Sequence, residues 1–183
     1  MDQKVLKQIL VVDTGFNEAI FKSYVDNVFV KIYTAVMLDE LENVRHFMNE
    51  GVFELFSNRV QILNQKNLRQ MYDELNVKST SIIGFESTDQ EFLITVKLVA
   101  RYLDYYLNRD SGEYLSGNLD TRVEKVNILK FSKKRNFLPL GVVRKCPGCG
   151  ASISVNTKGV CEYCGTTYNL EDHEYILVDF KTV

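Results

Sequence analysis

Apolar residues recur with a helical period through the first third of the chain. Phe21, Val25, Val28, Phe29, Ile32 and Val36 fall at i, i+4, i+7, i+8, i+11 and i+15, while Lys22, Asp26, Val30 and Thr34 lie mostly opposite. That spacing predicts an amphipathic helix with a wide core face, capped by Asp13 or Asn17 and running to about Met37. Asp39 followed by Glu42 has the form of a capping box. It predicts a short second helix with Leu41, Val44, Phe47 and Met48 turned inward, broken by Gly51. A third helix follows to about Gln65, with Val52, Phe53, Phe56, Val60 and Leu63 on one face.

After Asn67 the period changes to two. "YDELNVKSTSIIGFES" suits a strand, "STDQ" a turn, and "EFLITVKLVARYLDYYL" a long second strand. In that second strand Phe92, Ile94, Val96, Leu98, Ala100 and Tyr102 share one face, and Leu93, Thr95, Lys97, Val99 and Arg101 the other. Both faces are partly apolar, so one is expected on helices and the other on a cavity or partner. Its length calls for a bend or bulge. "NRDSG" reads as a hairpin turn. "EYLSGNLDTRVEKVNILKFSKK" reads as a third strand with a bulge at Gly117, and "HEYILVDFKTV" as a fourth. Helices first and strands afterwards predict an α+β fold, three N-terminal helices packed on an antiparallel sheet.

Composition changes little in that picture. The chain has 183 residues, 45% hydrophobic and 25% charged, with a net charge of −2. A chain of this length buries about 70% of its unfolded surface and does not need a metal for its main core. The charge argues against broad nucleic-acid binding. The opening "MDQKVLKQILVV" is too short an apolar run for a membrane span and lacks a small-residue cleavage site, so a cytoplasmic location is expected.

The cysteines add chemistry. All four lie in "KCPGCGASISVNTKGVCEYCG", as Cys146-x2-Cys149, an eleven-residue gap, and Cys161-x2-Cys164. Four thiolates at this spacing close a tetrahedron around zinc, with Zn–S near ~2.3 Å. Pro147-Gly148 supplies a tight turn, and Gly150 and Gly165 after each pair let backbone N–H groups approach the sulfurs. "ASISVNTKG" reads as a short hairpin turning at residues 156–159. Two disulfides would suit a secreted chain, and a redox Cys-x-x-Cys usually comes singly. Iron of the rubredoxin type is the chemical rival. With every position filled by sulfur, the Zn2+ is structural, and His173 is a loop residue rather than a ligand. The pattern is a zinc ribbon over residues 144–173, inserted before the last strand. Residues 1–143 with 174–183 form the main domain.

The helical segment "FKSYVDNVFVKIYTAVMLDELENVRHFMNEGVFELFSNRVQ", then "VARYLDYYLNRDSGEYLSGN", then "CPGCG" and "CEYCG" and a closing strand come in an order that resembles the bacterial Tim-forty-four-like domain proteins with an appended zinc ribbon. The resemblance runs from about Val12 onward. It implies the cone-shaped α+β fold shared with nuclear transport factor two, in which helices wrap one face of a curved sheet around a cavity. The mitochondrial relatives tether the protein-import motor at the inner membrane, so the resemblance implies a link to protein transport. Two features depart from the family: no membrane segment precedes the domain, and Tyr175 stands near the place where the family often has tryptophan.

Two further groups of residues are candidate contact sites. Residues 130–145, "KFSKKRNFLPLGVVRK", carry Lys130, Lys133, Lys134, Arg135, Arg144 and Lys145 without an acid, interleaved with Phe131, Phe137, Leu138 and Leu140. Such a run docks on anionic lipid or an acidic peptide; the plainer reading is a solvated strand end and a packed linker. Nucleic acid is disfavoured by acids in and after the ribbon, Glu162, Glu171, Asp172 and Glu174. Arg101, Tyr102, Asp104, Tyr105 and Tyr106 end the long strand, where they line a cavity mouth or form an Arg–Asp pair with aromatic cross-strand packing. The two histidines, His46 and His173, come with no nucleophile motif, phosphate loop or open metal site, so an enzyme is not expected. The expected function is a binding or adaptor module for a protein or peptide, peripheral to an anionic membrane surface or paired as a homodimer through the sheet. The alternative is a small-molecule-binding or isomerase-like enzyme using the cone cavity.

Overall fold

The computed structural model describes residues 3–135, 143–146, 149–154, 160–166 and 175–183. Its helical part comprises α1 (Gln3–Val12), α2 (Glu18–Leu38), a 3₁₀ helix (Leu41–Phe47) and α3 (Glu50–Gln65). Asn17 is the cap of α2, its side chain accepting from the Ile20 N–H at 3.1 Å, and Asn49 caps α3 in the same way through Val52. Asp39 ends α2 in the left-handed region with φ 60°. The order of helices then sheet is as the pattern predicts, with three differences. The first ten described residues form an additional helix, α1, which buries Ile9. The second helix is a 3₁₀ turn rather than an α-helix. The break falls at Met48–Asn49, where an extended residue precedes the cap, and Gly51 lies inside the first turn of α3.

The strands are β1 (Leu68–Ser87), β2 (Glu91–Asn108), β3 (Tyr114–Gly117), β4 (Val123–Lys134), β5 (Val143–Lys145), β6 (Ser152–Ser154) and β7 (Ile176–Thr182). The main sheet runs β1-β2-β4-β7, all antiparallel, with β3 paired to the end of β2. The expected bend of the long second strand falls chiefly on its partner. β1 carries register shifts between Asp73 and Asn76, Val77 and Ser79, and Ile82 and Gly84, which bend an edge strand and blunt it against pairing. The single expected third strand is two strands. Asn118 accepts from the N–H groups of Asp120 at 3.0 Å and Thr121 at 2.7 Å, an Asx turn that interrupts the ladder between β3 and β4. Gly117 precedes it with φ +112°; a Cβ there would stand 2.4 Å from Tyr105 Cα.

Helices cover one face of the sheet. The predicted inward row of β2 is buried throughout, from Phe92 to Tyr102, and meets Phe21, Val25, Phe29, Ile32 and Tyr33 of α2. Tyr33, Tyr72 and Tyr102 fill the space between helices and sheet, with ring centroids 4.6, 5.8 and 5.3 Å apart. On the far edge, Met48 bridges Leu177, and the Asn49 N–H donates to the Leu177 carbonyl at 3.0 Å, so the 3₁₀ helix and α3 seal the start of β7.

His46 sits in this seal. It is 5% exposed, stacks on Phe47 with centroids 4.0 Å apart, and neither ring nitrogen has a hydrogen-bond partner. Burial, and then the charge of Lys31, lower its pKa to about 4 from the ordinary 6.5. The unfolded chain therefore binds a proton that the folded chain excludes between those values, and stability falls as pH falls through that window. From pH 7 to pH 5 the loss is about 2 kcal/mol. Urea unfolding should show that slope in the wild type and not in His46→Leu; parallel pH profiles for the two would refute it. Gly117→Ala should lower stability by roughly 2–4 kcal/mol, whereas Gly112→Ala, at φ +73° with open space around it, should cost only about 1 kcal/mol, both read from thermal unfolding.

Candidate metal centre and contact surfaces

The cysteine clip is built from two copies of one turn. In the first, the Gly150 N–H donates to the Cys146 carbonyl at 2.9 Å and the Cys146 N–H to the Ala151 carbonyl at 2.8 Å. In the second, the Gly165 N–H donates to the Cys161 carbonyl at 3.0 Å and the Cys161 N–H to the Thr166 carbonyl at 2.9 Å. Gly150 and Gly165 adopt φ +71° and +72°, the left-handed conformation that lets each chain fold back under its sulfurs. Ala151 then donates its N–H to the Cys149 sulfur and Thr166 to the Cys164 sulfur. The first turn is also the loop of a hairpin, because β6 pairs backward with β5, Lys145 facing Ser152. The pairing of Ser152–Ser154 thus runs across the first knuckle; the expected turn at residues 156–159 lies outside the described residues.

The two knuckles face each other. All four sulfurs lie within 4.8 Å of one another, with Cys146–Cys164 at 3.6 Å and Cys149–Cys161 at 3.9 Å. A disulfide requires about 2.05 Å. A tetrahedron with metal–sulfur bonds of ~2.3 Å has edges of about 3.8 Å, which is the spacing seen. The four cysteines are free thiols and can together hold one metal ion. Cys146 and Cys161 are buried; Cys149 and Cys164 face outward. The Thr166 hydroxyl and then its N–H lower the Cys164 thiol to about 6. At Cys149 the Ala151 N–H is the largest single influence and pulls the thiol down, but contact with the Cys164 sulfur, desolvation, and contact with the Cys146 and Cys161 sulfurs together outweigh it and leave the thiol at about 12. Four crowded sulfurs resist full deprotonation, and a central cation removes that resistance.

The clip is bolted to the main sheet through β7. Cys146, Cys161 and Ile153 pack with Ile176, against which Val178 is half-buried. Leu177 and Phe180, from the same strand, belong to the main core. Tyr175 enters β7 through an aromatic cluster: its ring lies 4.7 Å from Phe21, and its carbonyl accepts from the Tyr24 hydroxyl at 2.5 Å.

The other candidates are dispersed. Arg101 points outward, 3.7 Å from Glu124, and Tyr102 points inward at 3% exposure. Asp104 accepts from the buried Gln70 at 2.7 Å, and Gln70 in turn accepts from Arg59 at 2.8 Å. Arg101 and Asp104 therefore do not pair; three residues apart on a strand, they take opposite faces. Burial of the interior tyrosines raises Tyr72 and Tyr102 above the ordinary range. Tyr105 turns its hydroxyl to Asp73, which lifts it to about 12. The basic run also splits. Lys130 faces outward, 2.8 Å from Glu86, while Lys133 turns inward to Asp13 at 3.2 Å beneath the Tyr175 ring. Lys134 lines a cleft of about 300 Å³ with Asn49, Glu91, Ser132, Ile176 and Val178. Arg135 donates to the Thr88 carbonyl and the Ser87 hydroxyl, both at 2.6 Å. Phe137, Leu138, Leu140, Pro147, Gly148, His173 and the acids at 171, 172 and 174 lie outside the described residues, as does the side chain of Arg144. The Arg59–Gln70–Asp104 relay was not anticipated; the spacing of two that puts Gln70 with Tyr72, and Tyr102 with Asp104, on one face was the available signal.

The family model described as the Tim44-like domain, the Tim-forty-four-like family named above, matches residues 2–139. The chain belongs to that family. The Tim44-like match ends before the first cysteine, so the clip and β7 lie beyond the matched span. Among curated proteins no match is found. Among solved structures 24 chains match. One is the intermembrane-space region of the chloroplast protein ARC6, with a TM-score of 0.43 and 9% identity over 88% of this chain and 95% of that one. No helix among the described residues of this Tim44-like chain is long and apolar enough to cross a membrane.

Metal binding is open to direct measurement. Purified chain should carry one ion, and Cys161→Ser should lose it. Removing the ion with a chelator should speed hydrogen exchange at Ile176 and Leu177, because the clip supports them. Tyr175→Ala should retain the ion yet lower stability by about 2–3 kcal/mol through the lost aromatic packing. Metal loss in that variant, or unchanged exchange in the apo protein, would separate the clip from the sheet.

Proposed function

We propose that this chain is a non-enzymatic adaptor of the Tim44-like type, with a structural zinc at Cys146, Cys149, Cys161 and Cys164. The observation that carries the reading is the division of labour along β7: one face completes the Tim44-like core and the other completes the clip. A metal ribbon fixed in that way supplies a rigid extension of the sheet without an open coordination site. Zinc is favoured by the closed tetrathiolate of ribbon spacing. The placement of the ionisable residues supports a non-catalytic role, since Arg101, Asp104 and His46 occupy separate environments and do not converge on a common point. The family match supports a place in protein transport, and the domain division at residues 144–173 follows from the same reading.

Two measurements test it. Elemental analysis should give one zinc per chain and a colourless protein; stoichiometric iron would overturn the metal assignment. Quantitative affinity capture from the native host should return the same protein partner with metal-loaded wild type and lose it with Cys161→Ser. Capture that is indifferent to the ion, or a purified chain that turns over a small molecule, would overturn the adaptor reading.

A further inference from the structure

The helices of the fold pack on one face of the main sheet; the clip covers the other at Ile176 and Val178, and away from that end the strands alone form it among the described residues. β1 is blunted by its register shifts, and the start of β7 is covered by Met48 and Asn49. A partner therefore meets this sheet on its open face, not by strand addition.

The pairing register lays out that face. Val99 stands opposite Val126, and Ile128 stands between Lys97 on one neighbouring strand and Lys181 on the other. Around this centre the charges are mostly spent. Lys78 and Arg101 share Glu124, at 2.9 and 3.7 Å, and Lys130 holds Glu86 at 2.8 Å, with Asp179 directly across from it. Lys97 and Lys181 are exposed and in no ion pair among the described residues. The result is a half-buried aliphatic stripe with an unspent cation on either side, on a chain whose overall charge is −2. Two strand spacings put those lysine positions about 10 Å apart. Seven residues of α-helix rise ~10.5 Å.

We infer that the open sheet face is the docking site for an acidic amphipathic helix of a partner protein. Carboxylates at i and i+7 meet Lys97 and Lys181, and apolar residues at i+3 and i+4 cover Val99, Val126 and Ile128. A second copy of this face fits poorly, because it brings the same two unpaired lysines toward each other. The inference rests on the adaptor reading and adds where the partner sits and what chemistry it presents.

The probe is a synthetic alanine-based helix of 15 residues, on the order of one protein-contact segment, with Glu at i and i+7 and Leu at i+3 and i+4. The acidic peptide should shift the methyl resonances of Val99, Val126 and Ile128 in metal-loaded protein and weaken as salt is raised. The double variant Lys97→Glu, Lys181→Glu should bind at least roughly tenfold more weakly, with unchanged thermal stability because both side chains are exposed. A Lys-for-Glu peptide should not bind. Three results would overturn the assignment: no shift at these methyls, equal affinity in the double variant, or methyl shifts that report a chain dimer or phosphatidylglycerol vesicles instead of the peptide. If the double variant still captures the host partner, the adaptor reading survives and this surface does not.

Discussion

β7 is the beam on which the molecule depends. It is seven residues long, yet it closes the main sheet beside β4, accepts the seal of the 3₁₀ helix and α3 at Leu177, and carries the clip on Ile176. Alternation along a strand makes this possible, since neighbouring residues serve opposite faces. A register shift between Lys130 and Phe131 of β4 sets the two sides apart, so that Leu177 and Phe180 both reach the core. The clip itself has too few apolar residues to stand alone. Among the described residues its buried set is Cys146, Ile153 and Cys161, packed on Ile176 of β7, so its order leans on the strand beneath it and on any ion its sulfurs hold.

The parts of the fold that were legible are those in which local pattern and tertiary demand agree. The α2 stripe from Phe21 to Val36 is buried as its period requires, and the inward row of β2 is buried without exception. The cysteines were legible for a different reason: metal geometry constrains sequence spacing directly, and the paired glycines at φ above +70° repeat the constraint on the backbone. What escaped was decided by contacts that the hydrophobic period does not encode. α1 is a ten-residue helix with no acidic first turn and no basic last turn, and it is held by burial of Ile9 rather than by its own propensity. The break between β3 and β4 depends on the amide of Asn118, one side chain in a run that otherwise reads as strand.

Function was less legible than fold, and strand geometry explains why. A run of cations reads as one patch only if the residues share a face. Lys130 and Lys133 are an odd number of positions apart, so one meets Glu86 outside and the other meets Asp13 beneath the helices. Arg101 and Asp104 are divided by the same rule. Conversely, Lys97 and Lys181 lie in separate strands of the sequence and become neighbours across Ile128 only when β4 pairs with both β2 and β7. Bulk charge conceals this arrangement, because a net value of −2 does not say which lysines are paired or which face they share.

The metal and the open face are mechanically linked through the same strand. Lys181 projects from β7, five residues after the isoleucine that supports the clip. Rigidity at Ile176 therefore fixes the register that brings Lys181 level with Ile128. A strand held only by its β4 ladder would be free to fray from this end, where Tyr175 and the clip supply aromatic packing and apolar contact. An ion held by the four sulfurs would in this way govern a contact surface it never touches, by fixing the backbone that presents it.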